Sequence, residues 1–263
     1  MVRELLGLRR RDKVAPVSRF GASRSVVPVS RMSTVDLIVA ELRKAILAGD
    51  LAVGEPLREV EIASQLGVSR GPLREAAQRI VQEGLLVSIP GRGLRVRRIP
   101  AEEVPDLYES RLAIEAHAAR RLAQRPNAVE TAELEACLAR LIAVSAGDEA
   151  VPIGDADLAF HRQLVDLVGS ARMSKRIDTL LAETRIANLS TQDGYTMPRE
   201  VSPTYRELID AIVAGHGDVA ADALSRQFEA AIARLTGVDD STETIESPIG
   251  TETASFARIE PVE

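Results

Sequence analysis

The sequence has no tryptophan, and aromatic residues make up only 3% of its 263 positions. Any core it builds must therefore be aliphatic. Its one cysteine, Cys137, excludes an internal disulfide framework and suits a reducing cytosol. On a helix, Cys137 is expected to act as a small core hydrophobe. No apolar run approaches the roughly 18 residues that a membrane span requires. Residues 1–31 lack the long apolar block of a secretory signal. A cytoplasmic protein without a membrane partner is the expectation.

What is present is an ordinary globular balance, 45% apolar and 27% charged, on a chain long enough for two domains. The net charge of −6 hides a split. Residues 1–100 hold 18 Lys and Arg against 10 Asp and Glu, whereas residues 101–263 hold 15 against 29. A basic front joined to an acidic body points toward a nucleic-acid partner. Part of the basic excess lies in residues 1–31. These read as a disordered arm, as an over-extended reading frame ahead of Met32, or as an arm that adds phosphate contacts.

From Thr34 to Ala48 the apolar residues Leu37, Ile38, Leu42, Ala45, Ile46 and Leu47 recur at helical spacing, with Ser33 or Thr34 as cap. Gly54 and Pro56 mark a loop. A short helix follows over Glu59–Leu66, with Val60, Ala63 and Leu66 on one side; Gly67 and Val68 make a tight turn. Ser69 caps a third helix running to about Glu83. Residues 85–89 and 94–98 have strand character around Pro90-Gly91-Arg92-Gly93, which reads as a hairpin. Three helices and a hairpin make a winged helix-turn-helix, assigned to residues 32–99. Beyond Pro100 only helical patterns occur, over about 101–124, 129–146, 152–169, 171–191, 201–214 and 217–235. Six helices with short connections predict an antiparallel bundle over residues 100–236. Residues 237–263 turn acidic and polar and read as a disordered tail. The fold expected is thus mainly α.

On the third helix Leu73, Ala77 and Ile80 are expected to pack inward, while Arg70 and Arg74, four apart, share one face at its N-terminal end. That is the end a recognition helix presents to the major groove. An arginine there can fork onto the O6 and N7 of guanine. Ser69 and the free N–H groups of the first turn can hold a phosphate. Gly91 and Gly93 let the wing backbone approach a sugar-phosphate chain, with Arg92 between them. The wing strand also carries Arg95, Arg97 and Arg98. The alternative is that these arginines are ordinary solvated side chains.

Gly54-Glu55-Pro56-Leu57-Arg58-Glu59, then Ile62 through Ala76, then Glu83-Gly84-Leu85-Leu86 and Gly91-Arg92-Gly93 resemble the GntR family of bacterial regulators over about residues 34–98. The resemblance implies that Arg58, Ser69, Arg70, Gly71, Arg74 and the wing around Gly91 touch operator DNA. Val60 departs from the family, some of whose members carry arginine there.

The helical remainder resembles the FadR-type effector domain, FCD, through Tyr108 to Glu115 and Asp157 to Leu164, and more weakly through residues 208–212 and 220–228. Asp157 and His161 lie four apart and project from one helix face, as two ligands of one metal would. The resemblance implies two further histidines in many members; the corresponding positions here are Tyr205 and Gln227, and the chain has three histidines in all. A phenol binds a divalent ion poorly near neutral pH. Three readings stay open: a weak divalent metal on Asp157 and His161, a metal-free polar pocket lined by Asp157, His161, Tyr205 and Gln227, or a plain core. Arg111 is expected either to face the same cavity and pair with an effector carboxylate, or to pair with a helix neighbour.

Together these features predict a ligand-responsive transcription regulator, most simply a repressor. It would bind a near-palindromic operator as a homodimer and sense a small organic acid. The rival classes are a helical scaffold that binds protein and a metal hydrolase around Asp157 and His161. The sequence offers neither a nucleophile-base pair nor a phosphate-cradling glycine loop, so no catalytic residues are assigned.

Overall fold

Ser33 and Asp36 start the first helix by satisfying each other. The Asp36 N–H donates to Ser33 Oγ at 3.1 Å, and the Ser33 N–H donates to the Asp36 carboxylate at 2.9 Å. Helix α1 (Thr34–Ala48) then buries Ile38, Val39, Leu42 and Ile46. Leu37, expected among them, is 52% exposed, because the apolar stripe is narrower than the count of apolar residues. The computed structural model describes residues 33–147, 149–191, 196–198, 200–237 and 244–246. The basic arm expected over residues 1–31 lies outside the described residues.

Helix α2 (Glu59–Gln65) packs through Ile62 and Ala63. Val60, expected on the packed side, is 64% exposed. The short helix turns Ile62 inward in its place. Between α2 and α3 (Arg70–Gln82) the chain reverses within four residues. Gly67 takes φ +63°, and the Val68 N–H reaches back to the Ala63 carbonyl at 3.0 Å. A left-handed residue here is what lets two short helices meet steeply. Helix α3 buries Leu73, Ala76, Ala77 and Ile80, which sets its opposite face toward solvent.

Strands β1 (Leu86–Ile89) and β2 (Gly93–Val96) pair antiparallel, Leu86 opposite Val96 and Ile89 opposite Gly93. The loop before α2 joins them. Gly54 N donates to Val96 O, Val96 N to Glu55 O and Leu57 N to Leu94 O, so the wing rests on a third, minimal strand.

A single 3-10 turn, Ala101–Glu103, leads into six helices: α4 (Val104–Ala123), α5 (Ala128–Ser145), α6 (Ala150–Asp166), α7 (Ala171–Leu189), α8 (Thr204–Val213) and α9 (Gly217–Thr236). Helix α6 starts two residues before Pro152, which had been read as its beginning. In the first turn the missing proline N–H has no helical partner to lose. Helix α4 is the axis of the bundle, touching α6, α7, α8 and most extensively α9. Both helices carry buried alanines, Ala118 and Ala119 on α4 and Ala220 and Ala223 on α9. Cys137 is half-buried on α5 against the core, as expected.

Strand β3 (Thr196–Pro198) pairs antiparallel with β4 (Thr244–Glu246), which falls within the tail read as disordered from residue 237. The rest of that tail, beyond Gly237, lies outside the described residues. Among the described residues no helix is long and apolar enough to cross a membrane.

The turn at Gly67 has a simple test. A Cβ there would meet no atom within 4 Å, so only the backbone conformation resists it. Gly67→Ala is expected to lower stability by about 1–2 kcal/mol, and Gly67→Asn by less, in urea unfolding. Equal stability of all three would mean that the turn does not demand a left-handed residue.

Candidate functional site

Two sites emerge from this architecture, one at the start of α3 and one inside the helical bundle. At the first, Ser69 is the N-cap residue, with extended backbone, but its side chain makes no capping bond. That corrects the expectation that its hydroxyl caps the helix. The hydroxyl and the N–H groups of the first turn are instead available to an anion. Arg70, Gly71 and Arg74 are all exposed. Gly71 faces open space: a Cβ there would meet nothing within 4 Å. Arg74 is drawn to α2, its Nε donating to Glu59 Oε2 at 2.6 Å, whereas Arg70 makes no ion pair among the described residues. Arg58, at the N-cap of α2, pairs with Glu61 at 3.4 Å in the open. Such exposed pairs are worth under about 1 kcal/mol and release their arginine cheaply.

At the wing tip Gly91 and Gly93 both take positive φ, and Arg92 stands exposed between them. The remaining wing arginines divide. Arg98 is exposed, but Arg95 donates to the Gly54 carbonyl at 2.9 Å and Arg97 pairs with Glu183 of α7 at 2.6 Å. Two arginines read as a basic wing strand thus turn inward and tether the wing. Strand alternation does not predict this, because Glu183 lies 86 residues away.

Inside the bundle is a cavity of about 310 Å³, whose lining includes Arg111, Asp157, His161, Tyr205 and Gln227. The five residues singled out in the sequence therefore meet, from α4, α6, α8 and α9. Behind them runs a buried chain of polar contacts. Arg111 Nε donates to Glu115 Oε1 at 2.9 Å, and Glu115 Oε2 lies 2.6 Å from His161 Nδ1. His161 Nε2 faces Asp157 Oδ1 at 3.7 Å, and the Tyr205 hydroxyl donates to that same oxygen. Arg111 Nη1 also reaches Thr184 Oγ1 of α7 at 3.4 Å, and its guanidinium sits over the rings of Tyr108 and Phe228. Arg111 thus lines the cavity and also pairs with a helix neighbour, Glu115.

The electrostatics follow from this enclosure. Burial pushes the Glu115 carboxyl up, but the Arg111 and His161 charges outweigh it and hold the group below its ordinary value. Burial likewise works against Asp157, yet His161 and the Tyr205 hydroxyl hold its pKa at about 2. Burial disfavours the imidazolium of His161; the two flanking carboxylates overcome that and raise its pKa. Burial, then Asp157, raises the Tyr205 phenol well above its usual range.

This donor set does not fit a divalent metal. The two carboxylates flanking the imidazole raise its pKa and so compete with a metal for its lone pair, and the Tyr205 hydroxyl donates its proton to Asp157. Gln227 adds only a neutral amide. Among the described residues no group of three His, Cys, Asp or Glu is disposed to hold an ion.

Glu115 was missed as a site residue, although its spacing of four from Arg111 was visible. Glu183, Thr184 and Arg185 carried no signal at all. These three consecutive residues of α7 look three ways. Glu183 holds Arg97 of the wing, Thr184 touches Arg111, and Arg185, 3% exposed, donates to the Leu47 carbonyl at the end of α1 at 3.0 Å.

Residues 34–96 match the family of bacterial regulatory proteins called gntR, and residues 106–237 match the FCD domain. A "Probable D-xylose utilization operon transcriptional repressor" of Paenarthrobacter nicotinovorans is 30% identical over 74% of this chain and 84% of its own. The transcriptional repressor RspR of Escherichia coli K12 is 26% identical over 72% of this chain and 82% of its own. Among solved structures, a GntR transcriptional regulator from Rhodococcus sp. RHA1 superposes with a TM-score of 0.67 at 27% identity, covering 78% of this chain and 98% of that one.

The buried chain of charges imposes a pH dependence. Asp157 is held at about 2 against an ordinary 3.8, so its contribution is complete above the ordinary value and is lost as pH falls toward 2. His161 lies above its ordinary 6.5, so its contribution is complete below 6.5 and fades as pH rises through the raised value. Urea midpoints should therefore peak between these limits. Asp157→Asn should make the acid limb shallower by about 2 kcal/mol, with Glu115 supplying the remainder of that limb. An acid limb as steep as that of the unmodified protein would refute the assignment.

Proposed function

The chain belongs to the GntR family of bacterial transcription regulators, in the branch that carries an FCD domain, and from that premise we propose that it is a cytoplasmic repressor. In this reading it binds a near-palindromic operator as a homodimer and loses or gains affinity when a small organic ligand fills the helical cavity. Residues 32–99 form the DNA-binding domain and residues 100–236 the effector-binding domain. The chain is a regulator rather than an enzyme. Its cavity works without a resident metal.

The observation that carries the DNA side is the start of α3: an uncapped, exposed first turn, open space at Gly71, and Arg70 free of any ion pair among the described residues. Phosphate contacts from Ser69, Arg58 and the Gly91-Arg92-Gly93 tip would set the register, and Arg70 and Arg74 would read base edges. Arg74 must first release Glu59, whose 2.6 Å pair holds it in place in the unbound protein. The two relatives reported as repressors support repression as the direction of control.

Coupling between cavity and operator runs through α7. Thr184 lies against Arg111 of the cavity wall, while its neighbours Glu183 and Arg185 hold the wing root and the end of α1. Glu183 also presses on the turn that follows α3: a Cβ on Gly84 would come within 2.8 Å of its carboxylate. A ligand that shifts Arg111 therefore shifts α7, and α7 carries the reading helix and the wing with it. The shift alters operator affinity only if the ligand binds the two arrangements unequally.

Two experiments test this. Arg70→Ala should weaken binding to the operator by about 1–3 kcal/mol and relax discrimination at one base pair. Arg92→Ala should weaken all sequences alike and reduce the salt slope by about one. Unchanged binding by both variants would overturn the assignment of α3 and the wing. Separately, Glu183→Gln should leave ligand affinity at the cavity intact while shrinking the ligand's effect on operator affinity. A full ligand response in that variant would exclude α7 as the connection.

A further inference from the structure

The cavity wall presents requirements that most small acids do not meet. Arg111, 1% exposed, leaves its Nη2 without a partner. Gln227, 7% exposed, leaves both its amide nitrogen and its amide oxygen unpartnered. Ser145 Oγ is also buried and unpartnered at the same wall. The contacts of Asp157 with Tyr205 and His161 both fall on Oδ1, and Asp157 lines the cavity with Oδ2 as a second acceptor. A molecule that satisfies this wall must offer an acceptor to Arg111, a donor to Asp157, and one of each to Gln227.

Charge narrows the class further. Arg111 and Arg234 line the cavity against Asp157 and Glu200, and the Arg111 guanidinium is already balanced by Glu115. A dicarboxylate would set its second carboxylate against Asp157, whose side chain is mostly buried, and like charges there repel. A neutral polyol meets the donor and acceptor count but forgoes the charge-assisted bonds that Arg111 and Asp157 both offer. A molecule with a carboxylate at one end and an ammonium at the other meets every requirement and brings no net charge. Leu141, Ile153, Val201 and the rings of Tyr108 and Phe228 supply apolar wall for its carbon chain.

We infer that the effector is a small zwitterion of the amino-acid class, its carboxylate on Arg111 Nη2, its ammonium on Asp157 Oδ2, and Gln227 bridging the two. This rests on the reading of the helical cavity as the effector site.

The test uses the full chain treated with a chelator, followed by thermal shift and calorimetry. The probes are the standard amino acids with γ-aminobutyrate and δ-aminovalerate, set against succinate, glutarate and xylitol. At least one zwitterion should raise the melting midpoint, since a ligand of the folded state alone stabilises it. It should bind at least about tenfold tighter than either dicarboxylate. Asp157→Asn, nearly isosteric, should erase that preference. Gln227→Leu should weaken the zwitterion while raising the midpoint of the unliganded protein, because it removes two unpartnered buried atoms. Tighter binding of a dicarboxylate or of xylitol overturns the inference, and so does silence from every zwitterion. Retention of operator DNA by the unliganded protein is measured alongside. If retention persists while the zwitterions fail, the ligand class falls and the regulator reading stands.

Discussion

Four ionisable side chains stand in line through the middle of the helical bundle, Arg111, Glu115, His161 and Asp157, with the Tyr205 hydroxyl closing the end. Each is stable in its charged form only because the next one is there. Glu115 is fully buried, and a lone carboxylate in that place would simply take up a proton. The row fixes the relative placement of α4, α6 and α8. Removing one member would cost about 3–5 kcal/mol, since it strands its neighbour's charge. An apolar core would hold the bundle at least as firmly. What the charges add is direction: they place Arg111 and Asp157 along the same cavity at opposite ends of one row of polar contacts.

That row also bears on how poorly the donor set suits a metal ion. A carboxylate and an imidazole four residues apart are suitable ligands in isolation. Here the imidazole stands between two carboxylates that raise its pKa, and the carboxylate of Asp157 accepts from a phenol. The same atoms that would bind a cation bind each other. The cavity keeps its unsatisfied groups elsewhere, at Arg111 Nη2, Gln227 and Ser145.

Helix α7 gives this buried chemistry a reach beyond the bundle. Successive residues of a helix point about 100° apart, so three in a row can touch three different partners. Glu183, Thr184 and Arg185 do so, and their partners lie in three different places: Arg97 just after β2, Arg111 on α4 and Leu47 on α1. Ile99 adds a further tie, its N–H donating at 3.3 Å to Oγ of Ser190, the residue that ends α7. The reading module and the sensing bundle are thereby joined by one rigid helix as well as by the chain at Pro100.

The helix boundaries, the tight turn at Gly67 and the hairpin at Gly91–Gly93 were legible because their causes are local. The capping Ser33, apolar residues at three- and four-residue spacing, and glycines where the backbone must turn left-handed all act within a few positions of themselves. The spacing of Arg70 and Arg74, and of Asp157 and His161, was legible for the same reason. Periodicity alone misplaced Val60 and Leu37, since a helix face is chosen by what packs against it. The fate of Arg97, the grip of Glu115 on His161 and the three-way contacts of α7 depend on residues tens of positions apart. Nothing in local spacing encodes which distant carboxylate an arginine will meet. That choice is made only when the elements pack, because the cost of burying a charge depends on what the fold brings beside it.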